Sequence, residues 1–530
     1  MKRTKTMAAL TLAAAALLFA VQAAAARPRA DGPAEKVVTI AITNAWETLM
    51  PLNSSAAYTR FVCGQIYNKL ASAKGNGEYA PELAESWEVN ADSTEITFHL
   101  NRNVRWQDGA PFSADDVVFT FQLYSNPAVE AVSRHYLGYI AGVDESGAET
   151  GPRSIAVRAV DRNTVVIRMR NAMFYETLLT SLNNVFILPK HILEGKTSAQ
   201  LNAPETWESP IGTGPFRFLS KIEGERIEYA ANKDYFLGAP KFDKLVVRVV
   251  PANSLLASLI SGEVDIPALG SIVLADWALA QAQSGLVTQS VPTTNYQTLL
   301  INTQKPYLTE AVRQAISMSV NRQVLIDLVY QGQGVPLVTP IVPSNPYYDS
   351  SVEVWYDPVR AREILRRENF PFNQELVFYV PSGNASREQA AVLIQQNLEA
   401  VGLKVRINLV DFSTLMREMR EGRHDIGVIG SGGQMDPSES REMIHPESEV
   451  NFALLKSYEL ANIIDRGISA LTFEARAPFF NQYQKRHREI AALPVLYSPN
   501  TLIAYNRRLG NVHPEDFASE RWATWEWDLR

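Results

Sequence analysis

The residues best placed to do chemistry in this 530-residue chain lie in one short loop, Gly430-Ser431-Gly432-Gly433-Gln434-Met435-Asp436-Pro437. Its glycines carry no Cβ, so the backbone there can approach another group closely. Asp436 adds a carboxylate, which in a desolvated cleft pairs well with a ligand ammonium group. The same Asp-Pro pair also suits a turn or a helix cap, a role that asparagine fills nearly as well. Other chemistries find no support. No GxSxG, HExxH or GxxxxGK[ST] pattern occurs, and His99, His135, His191, His424, His445, His487 and His513 fall at no metal-ligand spacing. No cofactor is expected and the chain reads as no enzyme, with a secreted hydrolase as the remote alternative. Gly212-Thr213-Gly214-Pro215 resembles a phosphate loop only superficially, because Pro215, Phe216 and Phe218 continue as a strand and offer no helix N-terminus. The lone Cys63 excludes an internal disulfide and reads as a small buried apolar side chain.

The elements around the loop are legible. Leu376–Val380 reads as a strand and Glu388–Val401 as a helix with Ala390, Leu393, Ile394, Leu398 and Val401 on one face, ended by Gly402. Val405, Ile407 and Leu409 mark a second strand, Ser413–Glu421 a second helix and Asp425–Ile429 a third strand. That order predicts a parallel sheet, whose ligands lie beyond the carboxyl ends of its strands, and Asp436 follows such an end. Arg417, Arg420 and Arg423 read as a solvated helix face. Earlier in the chain, Val37–Ile42 is a strand followed by a polar loop holding Asn44, Asn53, Ser54 and Ser55. Glu95–Asn101 alternates, which places His99 on the polar face, and Ser113 with Asp116 forms a capping box. From Glu310 to Gln331 the apolar spacing is helical, with Asn321 able to cap a second segment, and Asp357-Pro358 opens another helix.

Composition bounds the function class. Hydrophobic residues make up 46% and charged residues 20%, enough for large cores, and the length calls for several domains. With 50 basic and 57 acidic side chains the net charge is −7, which argues against nucleic-acid binding. Residues 1–26 read as a signal peptide: Lys2, Arg3 and Lys5 precede an apolar run from Met7 to Val21, with cleavage after Ala23 or Ala26. No cysteine stands at the end of that run, so no lipid anchor is expected and the protein is placed in the periplasm.

Several stretches, taken together, resemble the bacterial extracellular solute-binding proteins of family 5, the peptide/nickel class serving ABC importers. The strongest is ITFHLNRNVRWQDGAPFSADDVVFTFQ, from Ile96 to Gln122. SPIGTGPF (209–216), ANKDYFLGAPKFDKLVVRVVP (231–251), SGEVDI (261–266), VRQAISMSVNRQVL (312–325) and YDPVRAREIL (356–365) follow in the family's order.

The resemblance implies an α/β, two-lobed periplasmic-binding-protein fold (type II, cluster C) with an extra domain inserted in lobe one. Lobe one would comprise 27–57, 200–295 and 496–530, the inserted domain 58–199, and lobe two 296–495. It implies a receptor that captures a di- or oligopeptide, or a similar solute, and delivers it to an inner-membrane ABC permease. An oligosaccharide, a nickel chelate or an opine-like amine are alternatives. Ligand contacts are expected from Asn53, Ser54, Ser55 and Tyr58 in lobe one and from Ser431, Gln434 and Asp436 in lobe two, with Asp436 standing where peptide binders hold the aspartate that receives a peptide's amino terminus. Where the family often has an aromatic residue after the lobe-two strand, this chain has Ser431-Gly432-Gly433. A monomer without a membrane anchor is expected.

Overall fold

The computed structural model describes residues 35–53, 56–75, 77–269, 271–432 and 436–530; the expected signal peptide at 1–26, Ser54, Ser55 and Gln434 lie outside these. Val37–Ile42 buries Val38, Ile40 and Ile42 completely. It pairs in parallel with Lys244–Val249 and, on its other side, with Ile266–Pro267. Arg226–Ala231 and Phe216–Ile222 add antiparallel to complete a five-stranded sheet. Gly212 and Gly214 precede this last strand, and their role is room: a Cβ on Gly212 would lie 1.9 Å from the carbonyl oxygen of Ile66.

In sequence, the chain places a four-stranded antiparallel sheet inside this one, built from Ala84–Val89, Glu95–Leu100, Val157–Asp161 and Thr164–Arg168. The expected alternation holds, with Ile96, Phe98 and Leu100 inward and His99 outward, 3.6 Å from Glu88. One hydrophobic core, including Ile40, Cys63, Phe98, Phe121 and Leu245, runs through both sheets, so the inserted segment packs as part of the first lobe. Burial pushes the Cys63 thiol up to about 12, against the opposing pull of Arg60, which leaves it inert.

The second lobe is a six-stranded sheet in the order Gly334–Pro336, Val495–Pro499, Tyr296–Ile301, Ile426–Ser431, Glu375–Pro381, Lys404–Val410. The last three are parallel and are linked by the helices Ala385–Ala400 and Phe412–Arg420, the βαβαβ unit read from the sequence. Gly402, at φ 98°, turns the chain after the first of these helices. Both faces of the sheet are covered, by Leu299, Phe378, Ile394 and Leu398 on one side and Leu300, Met419, Ile464 and Phe480 on the other. Asn321 and Asp357 cap their helices as expected, accepting from the N–H groups of Val324 and Arg360. The arginine face is solvated and ion-paired, with Arg423 donating twice to Glu418.

Two crossings join the lobes. Leu286–Val291 of the first lobe leads through 292–295 into Tyr296–Ile301, and Val495–Pro499 returns through Asn500 into Thr501–Asn506. The six-stranded sheet thus runs on to Pro499, past the boundary at 495 expected from the sequence.

Two buried histidines give the fold a pH dependence. Burial lowers both His424 and His487 to about 4, so each stays neutral in the fold while an unfolded histidine titrates near 6.5. Between those values the unfolded chain binds more protons, so this stability is complete above about pH 6.5 and is lost as pH falls toward about 4. Urea unfolding should show a loss of roughly 2 kcal/mol per histidine between about pH 7 and pH 5. His487→Gln should remove about half of that dependence; equal stability at the two pH values would contradict it.

Candidate functional site

The two sheets present their strand ends to the region beside the crossings. In the first lobe the parallel strands end at Ile42, Val249 and Pro267, and the loop after Ile42 carries the expected residues. Asn53 donates its backbone N–H to the Met50 carbonyl at 3.2 Å and is half-buried. Tyr58, at the start of the helix Ala57–Gly64, shares a 2.7 Å hydrogen bond with the hydroxyl of Thr43, the residue that follows the first strand. In the second lobe Ser431 closes its strand opposite Tyr296, with its hydroxyl 3.7 Å from the Met443 sulfur.

Asp436 departs from the expectation that its carboxylate stands open to a ligand amine. It is 7% exposed and both oxygens are occupied by the chain itself. Oδ1 accepts from Arg476 Nη2 at 2.8 Å, from the Ser438 N–H at 3.0 Å and from the Ser438 hydroxyl at 2.7 Å; Oδ2 accepts from the Thr177 hydroxyl at 2.5 Å. Asp436 is therefore the cap read from the sequence and also half of a buried ion pair. Burial alone would raise its pKa, but the Arg476 guanidinium and the hydrogen bonds outweigh it and hold the carboxyl below the usual range.

This cluster bridges the lobes. Arg476 belongs to the second-lobe helix Phe473–Ile490, whereas Thr177 belongs to Tyr175–Leu182 of the inserted segment. The Arg476 guanidinium, 1% exposed, lies 4.8 Å from the ring of Phe174, also from the inserted segment, and 5.0 and 5.5 Å from Phe480 and Tyr347. Glu176 lies on the same side, its pKa raised by burial and by Asp436. Sequence reasoning missed Thr177, Phe174 and Arg476, because nothing local marks such partners: Arg476 stands 40 positions from Asp436 and Thr177 stands 259 from it. It also passed over Arg387. That residue follows the parallel strand Glu375–Pro381, in the place that drew attention to Asp436, and it donates to Gln297.

A family model, bacterial extracellular solute-binding proteins, family 5, matches residues 78–449. The chain belongs to this family. Among its relatives, heme-binding protein A of Haemophilus influenzae is 29% identical over 82% of each chain. The dipeptide-binding protein of Escherichia coli is 30% identical over 70% of this chain and 71% of its own length. The solved ABC transporter substrate-binding protein CtaP of Listeria monocytogenes superposes with a TM-score of 0.82, covering 93% of this chain and 99% of that one at 22% identity. The two-lobed fold expected from the sequence is thus the fold of this solute-binding protein. Among the described residues no group of three or more His, Cys, Asp or Glu is arranged to hold a metal, and no helix is long and apolar enough to cross a membrane.

The buried pair makes the cluster sensitive to single changes. Asp436→Asn keeps the cap but leaves Arg476 buried without its counter-charge, which should cost about 3–5 kcal/mol in unfolding free energy. Thr177→Val removes one hydrogen bond to a charged group and should cost about 1.5–3 kcal/mol. Denaturant titrations of the single and double variants should show coupling at this pair; additive, near-zero effects would contradict the arrangement.

Proposed function

We propose that this chain is an exported periplasmic receptor that captures a di- or oligopeptide between its lobes and delivers it to an inner-membrane ABC permease. The observation that carries the peptide reading is the relationship to the dipeptide-binding protein, at 30% identity over most of both chains. The side chains at the strand ends support it: Asn53, Tyr58 and Ser431 offer amide and hydroxyl groups that suit a peptide backbone. Asn53, Ser54, Ser55, Tyr58, Ser431 and Gln434 are proposed to contact the solute. Asp436, whose charge is already matched by Arg476, is proposed to act in closing the lobes. A signal peptide at 1–26, a lipid-free mature chain and a monomeric state belong to the same proposal. The relationship to heme-binding protein A favours a second reading, a receptor for a tetrapyrrole.

A thermal-shift screen with dipeptides, tripeptides, hemin, oligosaccharides, opines and nickel–histidine separates these. A peptide held at about 100 times its Kd should add about 2.7 kcal/mol to stability, whereas solutes that do not bind should leave the midpoint unchanged. A response to hemin or to sugars alone would overturn the peptide reading.

A further inference from the structure

Where the two lobes meet, the charges do not balance. Asp436 and Arg476 of the second lobe form an ion pair at 2.8 Å, and the Thr177 hydroxyl of the inserted segment reaches Asp436 Oδ2 at 2.5 Å. The residue before Thr177 is Glu176, half-buried in the first turn of Tyr175–Leu182. Its carboxylate accepts from the Tyr175 hydroxyl at 3.3 Å. Among the described residues no cationic side chain lies within ion-pairing distance of it. Two carboxylates, one from each lobe, thus share the field of a single guanidinium.

The groups that face Glu176 supply no second positive charge. On its own helix, Tyr175 donates to the carboxylate and the Thr180 hydroxyl donates to the Glu176 carbonyl at 2.9 Å. From the short strand Tyr79–Pro81, the Tyr79 hydroxyl lies 3.5 Å from the same carbonyl and 2.7 Å from the Thr180 hydroxyl. The second lobe contributes Asp436, Arg476 and Tyr347, whose ring packs against Arg476. Burial pushes the phenols of Tyr79, Tyr175 and Tyr347 up, so all three stay neutral. For Glu176 itself burial is the main cause of a raised pKa and Asp436 adds to it; the Tyr175 hydrogen bond and the Arg476 charge only partly offset them.

Opening about the two crossings takes Glu176 away from Asp436, because they stand on different lobes, whereas Arg476 stays with Asp436 in the second lobe. The surplus negative charge therefore arises only when the lobes meet, and one proton on Glu176 removes it. We infer that this contact is a proton-linked latch, in which Glu176 of the inserted segment takes up a proton as the lobes close on Asp436 and Arg476. Closed Glu176 holds its proton more tightly than open Glu176. The gain for closure is thus complete below the ordinary glutamate range and is lost as pH rises through the raised value. Asp436, held below the usual carboxylate range by Arg476, keeps its charge through that window. A solute held between the lobes is then held more firmly in mildly acidic surroundings than in neutral ones.

Pulsed electron–electron resonance on the solute-free protein, with one spin label on each lobe, tests this at about pH 8 and about pH 5. In the wild type the closed population should grow as pH falls. Glu176→Gln, which mimics the protonated side chain, should be at least as closed at about pH 8 as the wild type is at about pH 5. It should show no further change with pH and no loss in melting midpoint. Glu176→Ala, which also removes the charge, should lose the pH response in the same way. Identical wild-type distributions at the two pH values would overturn the latch. So would a pH response that persists in both variants, or a Glu176→Gln protein that matches the wild type at about pH 8. Because no solute is present, each of these failures would leave the receptor reading standing.

Discussion

The constraint on which the rest of this structure depends is that its two lobes are joined at only two places, and those two run side by side. The outgoing crossing is tied to the returning one: the Thr293 hydroxyl donates to the Pro499 carbonyl at 3.0 Å, and the Ser498 hydroxyl donates to the carbonyls of Thr293 and Asn295 at 3.1 and 2.6 Å. Asn500 completes the seam by donating to the Ser290 hydroxyl at 2.9 Å. Paired crossings of this kind let two rigid sheets swing about one line while resisting other displacements. The polar groups beside the crossings are carried on the loops and helix starts that follow those strands.

From that hinge the roles of the charged groups separate. Asp436 and Arg476 form an ion pair that the opposite lobe meets through the Thr177 hydroxyl, which donates to Asp436, and through the Phe174 ring, which lies over Arg476. Breaking such a pair is costly, since removing either partner would strand a buried charge. It is suited to report that the lobes have met. Beside the outgoing crossing, Arg387 donates to Gln297 and has no carboxylate partner among the described residues.

Most of the fold could be read from local pattern because local physics sets it. The βαβαβ unit from Glu375 to Ser431 followed from apolar spacing, Gly402 and strand length, and Asn321, Asp357 and Ser113 marked helix starts through hydrogen bonds confined to three or four residues. The cleft was legible in outline for the same reason, since strand ends are fixed once the sheet is. Its electrostatics were not. Asp436 looked like an open carboxylate because its partner stands in a helix 40 residues away and its second contact 259 residues away. Arg387 was hidden differently: the rule that singled out the loop after Ile429 applied equally to the loop after Val380, but the arginine sits just inside a helix and reads there as an ordinary surface residue.

The central claim is that the lobes close on a solute about this hinge, and a distance measured between them tests it most directly. Spin labels on cysteines placed at Glu85 in the inserted sheet and Glu399 in the second lobe, both exposed, would report the separation while the buried Cys63 stays unlabelled. Pulsed electron–electron resonance should show a distribution that narrows and shifts to one new distance when a bound peptide saturates the protein. The Thr177→Val variant should need more peptide to reach it. A distribution that is the same with and without saturating, tightly bound solute would contradict closure as the way this protein holds what it binds.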